Sequence, residues 1–301
     1  MTSFIEKLKR SKNRSSESVK VYVRAASRLY HLSNEGDLPT TISWLKNQKL
    51  RAKYEKIDLG KRRHLSLAAH MFAKTMGDKS EYWEKRMFKD SSDYAEQRQK
   101  NKKTPKEEKK WVVDALQKLR KAATEYKRHI ANKLKQPPSI SNLWLYSQYL
   151  LMKFYSEIQL RNDLGNVSLK DSKGTNYLKK IKGGKYDLIM RDFKASNKIG
   201  EKVIHVSAAL SRAIRTYINY RNKVELDHDW LLSNSKGTQL SKSAMGKALR
   251  KLTSEKMEKK IGTRMLRIFN ASANSEVITK AEELANNMLH SAKQSKSYVR
   301  K

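Results

Sequence analysis

The sequence predicts a mainly α-helical protein with a small antiparallel β-sheet, organised as two domains. Apolar residues recur at the 3.6-residue spacing of a helix over most of the chain. Residues 186–206 instead read as two strands joined by a polar turn. The apolar pattern lapses over residues 90–106, and 301 residues are enough for two domains. We therefore predict a helical domain over residues 1–95, a linker over 96–106 and a second domain over 107–301.

The N-terminal domain is predicted to be a small helical bundle. Ser15 and Ser16 are N-cap candidates for a first helix, whose apolar face runs from Val19 to Tyr30. A short second helix is expected after Pro39, and two further helical stretches follow it.

The second domain is predicted to begin with helices and to continue with strands. Pro105 at a first helical position, followed by acidic residues, predicts a helix that runs to about Lys135. The next helix, from about Ser139 to Tyr155, is apolar on most sides and leads to Arg161. Strands are expected at 166–170, 186–194 and 201–206, and helices at 207–222, 241–259, 264–273 and 275–292.

The charge of the chain indicates a polyanionic partner. The 66 Lys and Arg residues outnumber the 30 Asp and Glu residues, which gives a net charge of +36. The excess is spread along the chain, with 23 basic against 12 acidic residues in 1–100 and 43 against 18 in 101–301. We therefore expect both domains to contact DNA phosphates. A ribosomal or general nucleic-acid-coating protein has the same charge, so charge alone leaves that alternative open.

Several classes of protein do not fit the composition. A hydrophobic content of 38% with 5 Trp and 14 Tyr can build cores, unlike a disordered basic chain. The chain contains no Cys, which excludes disulfides and cysteine-based zinc sites. No apolar run approaches the ~20 residues of a membrane span, and residues 1–7 lack a signal segment. We expect an intracellular protein, in the cytoplasm or nucleus, that does not associate with membranes.

Candidate catalytic residues are concentrated near the C-terminus. Arg264 and Arg267 lie three residues apart on a predicted helix, and His290 and Tyr298 follow. Arg161 lies upstream, where an apolar helix ends in a polar turn. Planar guanidinium groups donate paired hydrogen bonds to phosphate oxygens, so they are well suited to stabilise the charge that develops on a phosphodiester under attack. The histidines have no metal-ligand spacing and no nucleotide-binding loop is present, so no cofactor is expected.

These residues, in this order, resemble the catalytic domain of the tyrosine recombinases, which include the phage integrases and the Xer proteins. The resemblance implies that Tyr298 attacks a phosphodiester to form a 3′-phosphotyrosine. Arg161, Arg264 and Arg267, with His290, would stabilise the transition state without metal or ATP. The family's proton donor to the leaving 5′-oxygen is a lysine on a hairpin. Lys194 matches that position best, and Lys198 is the alternative.

The N-terminal bundle matches the core-binding domain of the same family in type and position. Together with the catalytic domain it would clamp double-stranded DNA from opposite sides. In this family four protomers act on two duplexes, so a homotetramer on DNA is implied. The basic residues expected to face DNA are Arg24, Arg28, Lys61, Arg62 and Arg63.

The sequence departs from the family at two places. Arg264 occupies a position that is usually His, and the interval from His290 to Tyr298 is one residue shorter than usual. Type IB topoisomerases share the fold and the chemistry and tolerate a cation at the first position. The expected function is therefore a site-specific recombinase or integrase of a viral or other mobile element. A type IB topoisomerase-like enzyme and a non-catalytic DNA-binding relative remain as alternatives.

Overall fold

The computed structural model describes residue 4 and residues 6–8, 16–100 and 102–287, with side chains for all of these except residues 99 and 284–287. The chain divides into two compact units, Met1–Thr104 and Pro105–Lys301. Within the described part, no helix is both long and apolar enough to cross a membrane.

The first unit is a bundle of helices around an aromatic core. Trp83 and Tyr54 are fully buried with their rings 5.0 Å apart, and the indole Nε1 of Trp83 donates to the carbonyl oxygen of Leu45 at 3.0 Å. Phe72 packs against both Phe4 and Trp44. The described helices of this unit are α1 (Ser16–Tyr30), a 3-10 turn (Ser43–Lys46), α2 (Gln48–Glu55), α3 (Leu59–Thr75) and α4 (Glu81–Gln99).

Helix α4 corrects the predicted linker, because residues 96–99 and those before them are helical. The outer face of α4 is polar, so the apolar pattern that identifies a helix is weak there. Ion pairs between residues four apart stabilise an exposed helix, and this one has Lys85–Glu81, Lys89–Asp93 and Lys100–Glu96.

A buried carboxylate joins α4 to the rest of the first unit. Asp90 is fully buried, and it accepts from the hydroxyl of Tyr54 and from Nε of Arg62 at 3.0 Å. Burial, and then the carboxylate of Asp90, raise the pKa of Tyr54 well above its usual range. Arg62 also donates to the carbonyl oxygen of Glu55 at 3.1 Å, and the carboxylate of Glu55 pairs with Arg86. A buried charge is tolerated only when it is paired in this way.

The second unit packs five longer helices around one core, with a small sheet beside it. Helix α7 is buried on most sides, as predicted, and its N-cap Ser139 accepts from the backbone N–H of Asn142 at 3.2 Å. The described helices are α5 (Pro105–Glu108), α6 (Ala115–Lys135), α7 (Ile140–Tyr155), α8 (Ser196–Ile199), α9 (Ala208–Arg221), α10 (Lys242–Met257), α11 (Thr263–Ala273) and α12 (Ser275–Asn287).

The helix predicted from Pro105 to Lys135 is interrupted. Asp114 adopts the left-handed conformation with φ of 53°, which ends one helical path and starts another. The segment between α5 and α6 packs through Trp111, whose ring meets that of Phe269 in α11 at 5.2 Å with an edge-on geometry.

The prediction of a mainly helical protein with a small sheet is confirmed, but the sheet is mixed and has four strands. In the order β1-β2-β3-β4, β1 and β2 are parallel and the other neighbours are antiparallel. The strand at 176–180 was not predicted, and β3 ends at Met190 rather than at Lys194. The strands are β1 (Val167–Ser168), β2 (Asn176–Lys180), β3 (Tyr186–Met190) and β4 (Lys202–His205).

Asp90→Ala should strongly destabilise the first unit. The variant leaves the guanidinium of Arg62 and the hydroxyl of Tyr54 without their carboxylate, a change that typically costs about 3–5 kcal/mol for a buried pair. Asp93→Ala is the matched control, because Asp93 makes only a partly exposed pair with Lys89 that is worth about 0.5 kcal/mol. Urea unfolding followed by tryptophan fluorescence measures both, and equal losses would contradict a structural role for Asp90.

Candidate active site

A buried tyrosine holds the backbone of the turn that carries Arg161. Tyr155, at the end of α7, is fully buried and donates its hydroxyl to the carbonyl oxygen of Arg161. The backbone of Arg161 is therefore held while its side chain remains exposed to solvent. A 3-10 turn over Asn162–Asn166 follows, and we call residues 161–166 the Arg161 turn.

The Arg161 turn packs directly on the start of α10 because it contains glycine. A Cβ on Gly165 would lie 2.7 Å from the backbone nitrogen of Lys242 and 2.9 Å from the carbonyl oxygen of Leu240. The side chain of Gln239 donates to the carbonyl oxygen of Gly165 at 2.8 Å. Gly246 in α10 similarly leaves room for the side chain of Asn162. The close approach of these backbones determines where the turn lies.

Helix α11 presents its N-terminus to the same turn. Thr263 donates its hydroxyl to Oδ1 of Asn162 at 2.9 Å, which joins the first residue of α11 to the Arg161 turn. Arg264 and Arg267 follow on one face of the helix. Arg267 is half-buried, with Nε 3.4 Å from the carbonyl oxygen of Thr263, whereas Arg264 is exposed.

Arg267 lies within electrostatic range of both other predicted arginines, Arg161 and Arg264. Burial lowers the pKa of Arg267, and the positive charges of Arg161 and Arg264 lower it further, while Asp163 and Tyr155 act in the opposite direction. The N-terminus of a helix adds partial positive charge at the same place. Cations that repel each other at the positive end of a helix are stabilised when an anion lies among them. The arrangement therefore favours a phosphate.

Two carboxylates lie at the edge of this cluster. Glu107 in α5 is buried and accepts from Nη2 of Arg264 at 2.9 Å. Asp163 lies 3.6 Å from Nζ of Lys242, which also pairs with Asp192 at 2.9 Å.

Lys194 was predicted at the edge of a strand. In the structure it lies in an exposed turn between β3 and α8. The backbone just before it is clamped by Asn176, which is fully buried. Oδ1 of Asn176 accepts from the backbone nitrogens of Arg191 and Asp192 at 2.8 and 2.7 Å, and Nδ2 donates to the carbonyl oxygen of Asp192 at 2.9 Å. The Asp192–Lys242 pair then ties this connection to the helix on which the Arg161 turn rests. Lys198 lies in α8 and is exposed.

Sequence reasoning missed a second lysine-bearing hairpin. Strands β2 and β3 are joined by a tight connection in which Lys182 and Lys185 flank Gly183 and Gly184. Both glycines have positive φ, 72° and 68°, a conformation that a side chain disfavours. The sequence signal that could have revealed this hairpin is Lys-Gly-Gly-Lys at 182–185, which is typical of a hairpin turn once the strand before it is recognised.

The basic residues predicted on the first unit have different environments. Arg24, Arg28 and Lys61 are exposed on α1 and α3. The guanidinium of Arg63 lies 4.1 Å from the ring centre of Tyr94, a cation–π contact that leaves it half-buried. Arg62 was predicted to face DNA. Its guanidinium is instead paired with Asp90 and Glu55 inside the unit.

His290 and Tyr298 lie outside the residues that the structure describes, since α12 is described only as far as Asn287. Their placement beside the arginines stays a prediction. Among the described residues, no three His, Asp or Glu side chains are grouped as metal ligands.

Comparison with known proteins gives a distant structural likeness. No family model matches the sequence, and no curated protein matches it. Among solved structures, the chain is similar to the crystal structure of XerA recombinase, with a TM-score of 0.37 and 13% identity over 90% of this chain and 82% of that chain.

Gly165→Ala should displace the Arg161 turn. The added methyl group meets backbone atoms at 2.7–2.9 Å, and overpacking of this kind typically costs about 1–3 kcal/mol. Calorimetry should show a lower unfolding temperature, and DNA binding should weaken as Arg161 moves. Gly262→Ala is the control, because its nearest neighbour would be 3.6 Å away and the loss should stay below about 1 kcal/mol. Unchanged unfolding of Gly165→Ala would show that the turn does not depend on this close approach.

Proposed function

We propose that this protein cleaves and rejoins DNA strands through a 3′-phosphotyrosine, as a site-specific recombinase. The observation that carries the proposal is the convergence of Arg161, Arg264 and Arg267 at the N-terminus of α11. Arg161 lies more than 100 positions before Arg264 and Arg267 in the sequence, yet the hydrogen bond between Thr263 and Asn162 joins its turn to the first residue of α11.

The charge of the whole chain supports DNA as the substrate. A net charge of +36 draws in polyanions, and release of counterions from DNA supplies binding free energy that does not depend on sequence. The exposed basic residues Arg24, Arg28 and Lys61 offer further phosphate contacts on the first unit. Four protomers on two duplexes is the assembly that the family resemblance implies.

The proposed reaction exchanges one phosphodiester for another. The phenolic oxygen of Tyr298 forms a bond to phosphorus, and the bond from phosphorus to the 5′-oxygen breaks. Charge increases on the non-bridging oxygens during this step, and the guanidinium groups of Arg161, Arg264 and Arg267, with His290, stabilise it. Nearby cations also favour the phenolate of Tyr298 over the phenol, whose ordinary pKa of ~10 makes it a weak nucleophile at neutral pH. Rejoining is the reverse step.

The leaving 5′-oxygen must gain a proton, and we propose a lysine from one of the two sheet connections. Lys194 is favoured because Asp192, two residues before it, pairs with Lys242 beside the Arg161 turn. Lys182 is the rival that the structure introduces, because it lies in a tight hairpin of the type that carries the acid in the family. Lys198 lies in the same connection as Lys194, and Lys185 lies in the same connection as Lys182, so both are tested with them.

Tyr298→Phe should abolish covalent attachment to DNA. The variant lacks the attacking oxygen but keeps the basic surfaces, so its affinity for duplex DNA should stay within about twofold of that of the unaltered protein, since no phosphate-contacting charge is removed. A nicked suicide substrate traps the covalent species, which is resolved on a denaturing gel. Tyr177→Phe, at another tyrosine of the second unit, is the control and should still form the adduct.

An adduct of undiminished yield in Tyr298→Phe would assign the nucleophile to another residue. Relaxation of a plasmid without a preferred site, by a protein that stays monomeric on DNA, would favour the type IB topoisomerase alternative. Tight DNA binding without any covalent adduct would favour the alternative of a non-catalytic DNA-binding relative.

A substrate with sulfur at the bridging 5′ position should identify the proton donor. A thiolate leaves without protonation, so losing the general acid should slow cleavage of the ordinary substrate by roughly 10²–10⁴-fold and should hardly affect the sulfur substrate. Alanine variants of Lys182, Lys185, Lys194 and Lys198 form the panel, and Lys194→Ala is expected to show this rescue. If no variant is rescued, the acid does not come from these connections.

A further inference from the structure

We propose that Glu107 is a positioning residue for Arg264: its carboxylate holds this guanidinium in place for the phosphate. The inference rests on the proposed function, because it concerns how one of the three arginines reaches its working position. Nη2 of Arg264 donates to Oε1 of Glu107 at 2.9 Å. Glu107 is only 6% exposed, whereas the side chain of Arg264 is 67% exposed. A fixed acceptor therefore holds a side chain that otherwise extends into solvent.

Arg264 needs such support more than Arg267 does. Arg267 is half-buried and contacts the backbone of its own helix, but Arg264 has a long, exposed side chain that loses considerable rotamer entropy when it is fixed. Arg267 and the positive end of α11 repel it, so without a counter-charge it would turn away from the site. A neighbouring carboxylate opposes that repulsion.

Glu107 is itself held against the helix that carries Arg264. Trp111, four residues further along the chain, packs its ring against Phe269 of α11 at 5.2 Å. Nζ of Lys259, just after α10, donates to the carbonyl oxygen of Lys109 at 3.3 Å. These two contacts attach the α5 segment to the site, so Glu107 is placed by packing and not only by its pair with Arg264.

The contact with Glu107 orients Arg264 but leaves most of its N–H donors available. A guanidinium has five N–H donors, and only one of them is used in the contact with Glu107. The remaining edge is free to donate to a phosphate, in keeping with the exposure of the side chain. A contact that sequestered Arg264 would use both of its terminal nitrogens and bury them.

The test separates positioning from inhibition and from a general structural role. Glu107→Gln should slow covalent attachment at saturating DNA by about tenfold to a hundredfold, the loss typical when a supporting contact of a functional group is removed. DNA affinity should be equal or higher, because a negative charge next to the site is gone. Glu108→Gln is the matched control, since it makes the same change in charge at the next, exposed residue, and its rate should be unchanged.

A double variant shows whether Glu107 acts through Arg264. In an Arg264→Ala background, Glu107→Gln should have no further effect on the attachment rate, because its partner is already gone. A further loss of the same size would mean a structural role and would overturn the proposal. Faster covalent attachment by Glu107→Gln alone would show that the Glu107–Arg264 pair inhibits the reaction. That result would also overturn the proposal.

A chemical measurement distinguishes failure of this proposal from failure of the proposed function. If the unaltered protein forms no adduct with any DNA, the recombinase assignment fails, and the pairing is then judged by the rate at which phenylglyoxal modifies Arg264, followed by peptide mass spectrometry. That rate should rise several-fold in Glu107→Gln and remain unchanged in Glu108→Gln. An equal rate at Arg264 in all three proteins would show that Glu107 does not hold it.

Discussion

Like charges repel, and the site at the start of α11 brings Arg161 and Arg264 within electrostatic range of Arg267. Solvent screens this repulsion at the exposed side chains of Arg161 and Arg264 more than at the half-buried Arg267. The rest of the second unit has to hold the arginines against this repulsion until an anion relieves it. The fold does so mainly through the backbone, by fixing the segments from which the side chains extend.

Three contacts fix the segments that carry the arginines. Tyr155 holds the carbonyl of Arg161, Gly165 allows the turn to rest on α10, and Thr263 joins the turn to α11. Asn176 performs a related task for the connection that carries Lys194. None of these residues is among the proposed phosphate ligands. On our proposal, a change at a glycine can therefore disturb the site as a change at an arginine does.

The long helices could be predicted from the sequence, because helical spacing is a local signal. Helical spacing identified α7, α9, α10 and α11, and Arg264 stands three residues before Arg267 on one face. Strand β2 was missed because its first residue, Asn176, is of a type common in turns, and its backbone pairing with β1 and β3 is not visible in the local sequence. Arg62 was misassigned for a similar reason, since Asp90 lies 28 residues away and nothing local shows that it takes up the guanidinium.

The arginine at position 264 separates two tasks that an imidazole can combine. An imidazole donates a hydrogen bond to a phosphate and also exchanges a proton near neutral pH, whereas a guanidinium stays protonated and only donates. On the proposed mechanism, Arg264 therefore contributes charge stabilisation only. The proton for the leaving group then comes from a lysine on a sheet connection and not from α11. A guanidinium is also longer and less constrained than an imidazole, and on our proposal the buried carboxylate of Glu107 supplies the constraint on Arg264.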